Sequence, residues 1–214
     1  MTVLKSKFAI TFALLFTLFT HDTQSAQKSG RECQEAQRIT EEWLETLRIS
    51  PDRNKGIEKT IADQMMVGIK VYNTQTAQLL SAIHFDAQIN PLASTLKWVN
   101  NETIVLTWGA GSYVAEGALY SAEGAELNSF SGDAVDLSDN IKFLAVFTPD
   151  GAPLASTPGI RIYSLINNRV IFEDSKCRVS SQIKWKNRKA TFSCRYTDDS
   201  ATKEREVRVK LMHN

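Results

Sequence analysis

The sequence predicts a mainly β protein built of repeated antiparallel hairpins, preceded by one amphipathic helix. Three observations carry this. From Val67 onward, apolar residues recur with period two in short runs. Clusters of Gly, Asn, Asp, Ser and Pro separate those runs. One phrase is also written twice: "STLKWVNNETIVLTW", Ser94 to Trp108, returns as "SQIKWKNRKATFSC", Ser181 to Cys194.

The chain has 214 residues and opens "MTVLKSKFAITFALLFTLFTHDTQSAQKSG". Lys5 and Lys7 precede an apolar run, Phe8 to Phe19, that is short for a bilayer span. Small residues follow at Ser25 and Ala26. The pattern is that of a secretory signal peptide over 1–26, and the rest is expected to be exported, periplasmic or secreted, and not membrane-spanning.

Residues 27–66 read as an N-terminal helical segment. Ser29 and Glu32 have capping-box spacing. Cys33, Ala36, Ile39, Trp43, Leu44 and Leu47 fall on one helical stripe, and Pro51 ends it. The helix is predicted over about 30 to 48. "IEKTIADQMM", from Ile57, suits either a second short helix or a first strand.

Residues 67–214 form the β-rich domain. Asn100-Asn101, Asn167-Asn168 and Thr197 to Ser200 are turn candidates, because Asn and Asp tolerate positive φ. Three stretches, from Gly68, Gly117 and Gly159, each read as a strand with Tyr, a polar turn and a second strand. A second hairpin follows each: "LKWVNNETIVLTW", "VDLSDNIKFLAVF" and "IKWKNRKATFSC". The unit of four short strands resembles a blade of WD40-like or TolB-like β-propellers over about 68–196, without the Gly-His and Trp-Asp dipeptides of WD40 blades. The resemblance implies blades of four short antiparallel strands. Three units are fewer than the four blades a closed propeller needs. A β-sandwich, a curved sheet and an incomplete propeller-like arrangement all remain open.

Taking Lys186 to Lys189 as a turn assigns the last faces. Val179, Ile183, Trp185, Phe192, Cys194 and Tyr196 share one face with Val207, Val209 and Leu211. Lys184, Arg195, Arg208 and Lys210 occupy the other, with Lys186, Arg188 and Lys189 in the turn. Cys177 and Cys194 are the expected disulfide, with Cys33 as alternative partner. In a regular hairpin they lie too far apart, so a bulge is required if they bond directly.

Charge is distributed unevenly. Gln27 to Asp174 carries 12 Lys and Arg against 19 Asp and Glu, whereas Lys176 to Asn214 carries 11 against 4. The near-neutral total, with export, argues against nucleic acid as a partner.

Catalytic signals are weak. After the leader only His84 and His213 remain, and no G-x-S-x-G surrounds a serine such as Ser112. Asp133, Asp136 and Asp139 lack calcium-loop spacing, and no zinc pattern exists. "WGAGSYVAEG" lies between strands, so it lacks the helix N-terminus of a phosphate loop. The sequence therefore favours binding over catalysis, without cofactor or metal. The contact candidates are Trp108 and Tyr113 beside the Gly loop, and Lys184, Arg195, Arg208 and Lys210. The expected partner is another protein or an anionic envelope component. Alternatives are an accessory subunit of an envelope complex and an enzyme using Asp86, Asp133 and Asp136.

Overall fold

The alternating pattern becomes sixteen strands in the computed structural model, which describes residues 44–111, 114–153, 155–198 and 201–211. The chain divides into two units, Met1–Thr46 and Leu47–Asn214, and every described strand belongs to the second. The signal peptide, Cys33 and the helix up to Trp43 lie outside the described residues.

Four four-stranded antiparallel sheets follow one another along the chain, and none closes on itself. The first holds β1 (Arg48–Ile49), β2 (Lys55–Ala62), β3 (Met65–Asn73) and β4 (Leu79–Ile89). The second holds β5 (Ser94–Trp98), β6 (Thr103–Gly111), β7 (Val114–Ser121) and β8 (Glu126–Gly132). The third holds β9 (Ala134–Leu137), β10 (Phe143–Phe147), β11 (Ile160–Ser164) and β12 (Arg169–Asp174). In the fourth, β13 (Arg178–Val179) and β14 (Lys184–Lys186) both pair one edge of β15 (Lys189–Asp198), and β16 (Ala201–Lys210) pairs the other.

Among the described residues, strand structure begins at Arg48 rather than Val67. Arg48, expected in the last helical turn, pairs with Ile57. The Ile57 stretch takes its strand alternative because Asp63 and Gln64, with φ of 50° and 64°, turn the chain directly from β2 into β3.

Three apolar layers separate the four sheets. The first layer includes Ile57, Ile69 and Val71 from the first sheet and Leu96, Ile104 and Leu106 from the second. The next joins Val105, Leu119 and Phe130 to Leu144 and Val146. The last joins Phe143, Ala145, Ile160 and Ile162 to Val179, Ala190, Phe192 and Val209. Residues of β6 and β10 therefore alternate between two layers, so both faces of the middle sheets are buried. That is why "TIVLTW" and "FLAVF" are nearly continuous apolar runs. A sheet with two apolar faces needs a neighbour on each side, which a two-sheet sandwich does not supply.

Sheet boundaries cut through the hairpin pairs read from the sequence. Each pair, such as β3–β4 with β5–β6, straddles two sheets: the first hairpin ends one sheet and the second begins the next. The frame is displaced by two strands, and β1, β2, β13 and β16, which lie outside those pairs, complete the four sheets.

The repeated Trp residues peg neighbouring sheets together. Trp98 on β5 donates its indole N–H to the Arg48 carbonyl on β1 (2.6 Å). Trp185 on β14 donates to Asp136 Oδ2 on β9 (3.2 Å). In both cases the first part of one sheet reaches the first strand of the sheet before it. The Arg48 guanidinium donates back to the Leu96 carbonyl.

Cys177 and Cys194 are disulfide-bonded, with Cα atoms 5.0 Å apart. The expected bulge is present. Trp185 pairs with Ala190, but Val179 pairs with Cys194, so two extra residues are accommodated between β13 and β14. This slip draws Cys177 towards Cys194. Residues of β13 also exchange backbone hydrogen bonds with Thr148 and Asp150, beyond the end of β10. The crosslink therefore fixes a strand of the fourth sheet that also bonds, through Val179, to the segment following β10. Replacing both cysteines by Ala is expected to lower stability by about 3 kcal/mol, because the bond closes a loop with sequence separation 17. Urea unfolding of the oxidised protein and the double variant measures this.

Candidate functional site

The free face of the fourth sheet is the surface where the sequence candidates meet. Register fixes its rows. Lys186, Lys189 and Lys210 stand directly opposite one another across β14, β15 and β16. The adjacent row is Lys184, Thr191 and Arg208. Neighbours in a row are about 5 Å apart and the rows about 7 Å apart. All five cationic side chains are exposed. Arg208 Nε bonds Glu206 Oε1 at 2.6 Å, and the guanidinium holds that carboxyl below its ordinary range, with a further contribution from Lys184. Lys184, Lys186, Lys189 and Lys210 form no ion pair among the described residues.

Three lysines directly opposed across adjacent strands repel one another, where opposite charges would stabilise the sheet. The connecting turn adds a second cost. Only Asn187 and Arg188 lie between the paired Lys186 and Lys189, with φ of 50° and 58°. Such a two-residue loop suits Asn first but favours Gly second. Arg188 holds the left-handed conformation at roughly 1–2 kcal/mol. The turn is therefore tighter than Lys186 to Lys189, and both flanking lysines join the sheet face.

Arg195 shares this face but not the patch. It pairs with Arg178 and Glu204 across the strands and forms an ion pair with Asp150. A concavity of about 450 Å³ lies there, lined by Lys176, Arg178, Arg195 and Tyr196 among others. Its charges are largely spoken for: Arg178 Nη2 donates to the Ser156 carbonyl (2.7 Å), and Tyr196 Oη donates to Asp174 (2.7 Å).

Trp108 is half-buried on β6 and packs against the first apolar layer. Tyr113 lies outside the described residues, as does Ser112. Gly109 meets open space where a Cβ would stand, so the β6–β7 hairpin is uncrowded there.

The carboxylates named in the sequence are dispersed. Asp86 is exposed on β4 of the first sheet. Asp133 accepts from Ser156 Oγ (3.3 Å), and Asp136 accepts from Trp185. Among the described residues no three His, Cys, Asp or Glu side chains are grouped to share a metal ion. Burial pushes the Asp136 carboxyl above its ordinary pKa, and the Asp139 charge adds to this, while the Trp185 N–H opposes it.

The described residues define a mainly β fold of successive antiparallel sheets, and the site is a cationic sheet end. No family model and no curated protein matches the chain. Among solved structures it is similar to one described as Kuenenia stuttgartiensis hydrazine synthase, at 14% identity and a TM-score of 0.37, covering 68% of this chain and 51% of that one. It is also similar to one described as a crystal structure of the eukaryotic initiation factor, at 14% identity and 0.39, covering 59% and 30%. The chain thus spans about half the first and under a third of the second. At these TM-scores neither likeness bears on function.

Two stability measurements check this local chemistry. Arg188→Gly is expected to stabilise the protein by roughly 0.5–1 kcal/mol, because relief of the left-handed backbone exceeds the entropy Gly adds to the unfolded chain. An unchanged or lower urea midpoint contradicts the strained turn. Asp136 has a raised folded pKa, so its ionisation weakens the folded state above that pKa and the penalty fades as pH falls through it. Asp136→Asn keeps an acceptor for Trp185. It is expected to be more stable than the native protein at pH 7, by a margin that shrinks on acidification to pH 4.

Proposed function

We propose that the protein is an exported, non-enzymatic binding protein that occludes or scaffolds a partner through the cationic end of its last sheet. The observation that carries this reading is the opposed row of Lys186, Lys189 and Lys210. An arrangement that costs the fold electrostatic energy is retained, and an anionic partner would relieve it.

Location follows the same reading. The disulfide is compatible with an oxidising compartment. The N-terminal apolar run supports export to the periplasm or beyond. Four successive four-stranded sheets, three of them simple meanders, support the propeller-like form of the fold, left incomplete. The charged outer face of the last sheet suits the end of such a stack, because a terminal unit needs a polar outer surface.

A second reading, an accessory subunit of an envelope complex, draws on β4. It is an edge strand of the first sheet, and its Leu79 and Leu80 are 47% and 42% exposed. Two exposed leucines at the start of an edge strand offer another chain a place to pair.

Affinity capture separates these readings. Immobilised protein in envelope extract at low salt is expected to retain an anionic component that elutes at about 0.5 M salt, where charges are screened beyond a few ångströms. Retention that survives salt and depends on Leu79 and Leu80 favours the subunit. Retention of nothing removes both.

A further inference from the structure

We infer that the occupant of the cationic sheet end is the headgroup surface of an anionic lipid bilayer, and that the protein docks there by charge alone. The inference rests on the binding reading above and deepens it.

The shape of the surface selects the occupant. Lys184, Lys186, Lys189, Arg208 and Lys210 lie on one sheet face, and Arg188 extends the charge over the tip of the hairpin. The result is an exposed end whose positive charge continues over the hairpin tip, bordered by Glu206 on the face and Asp139 in the adjoining turn. A bilayer surface is broad, negatively charged and fluid. It engages such an end without requiring a groove, and basic residues near it act additively.

The other anionic partners fit less well. A stable protein interface has a core depleted of Lys and anchored by aromatic or aliphatic side chains. Here the remaining positions of the face beside the patch are Thr191, Ser193 and Glu206. The nearby aromatic, Trp185, turns to the opposite face and is bonded to Asp136. An extended polyanion such as an acidic polysaccharide needs a track. The concavity at this end, about 100 Å³ between the hairpin and the Ser138–Asn140 turn, includes Asp139, whose charge has the wrong sign.

The Lys row also explains why the costs of the hairpin are tolerated. Three lysines on successive strands, with backbones about 5 Å apart from one strand to the next, repel in water. Against an anionic leaflet each gains a counter-charge. The left-handed Arg188 carries a further guanidinium at the tip, where Gly would suit the backbone better.

The test is vesicle co-sedimentation of the full chain. One vesicle type is pure phosphatidylcholine, and the other contains 30% phosphatidylglycerol. Binding is measured at roughly 50 mM and 500 mM NaCl, which brackets strong and weak screening. The native protein is expected to bind only the anionic vesicles, and only at low salt. The Lys186→Gln/Lys189→Gln/Lys210→Gln variant is expected to lose roughly 100-fold in partitioning, since each lysine contributes about a factor of five near an anionic leaflet. The Lys→Arg triple variant, which keeps the charge, is expected to bind like the native protein. Removing repulsion should leave the Gln variant at least as stable, so its loss of binding is not a loss of fold.

Binding to both vesicle types at both salts marks the N-terminal apolar run as the anchor and overturns the inference. So does absent binding to anionic vesicles at low salt, or equal binding by the Gln variant. If vesicles are ignored but a soluble polyanion or acidic protein is held by the same lysines, the lipid assignment fails while the binding reading stands.

Discussion

Burial of both faces of the middle sheets is the constraint from which the architecture follows. Ile104 and Leu106 enter one apolar layer and Val105 the next; Leu144 and Val146 enter one layer and Phe143 and Ala145 another. A strand of this kind has no face to offer water. Each sheet must be covered twice, and the chain meets the demand by placing a new meander against the last. The terminal sheet breaks the pattern. Phe192 and Val209 point to the layer, whereas Thr191 and Arg208 point outward, so the succession stops there with a charged surface.

Much of this architecture was legible from alternation and turn chemistry. The Trp185–Ala190 register, the shared face of Lys184, Arg208 and Lys210, and the need for a bulge to unite Cys177 with Cys194 all follow from period two and strand rise. The sheet boundaries were harder to see. Hairpins repeat equally well in either frame, and only three-dimensional pairing separates the β3–β4 hairpin from β5–β6. The first two strands were masked by a different ambiguity. "IEKTIADQMM" has no Gly or Pro to mark its turn, because Asp63 and Gln64 adopt positive φ without either.

The working surface was partly legible for the same reason. Alternation places cations on one face, but it does not say which of them are already compensated. Arg195 has Asp150 beside it from the loop after β10, and no local pattern in the sequence predicts that pairing. Lys186 and Lys189 look like turn residues until the two-residue loop is recognised. They then become two members of a row, with Lys210, that no ion pair among the described residues compensates. Trp108 reads as an aromatic beside a flexible loop, yet it is partly buried and packs against the first apolar layer.

The succession of sheets has a consequence for how the molecule tolerates change. Nearly all pairing is between strands adjacent in sequence, and each apolar layer couples only two neighbouring sheets, so the body is close to one-dimensional. Among the described residues, the apolar path from the charged terminus to β1 runs through three layers in turn. The outer face of the last sheet is thus insulated from the rest of the fold. Its charge pattern can be rewritten, residue by residue, with little penalty to the sheets that carry it.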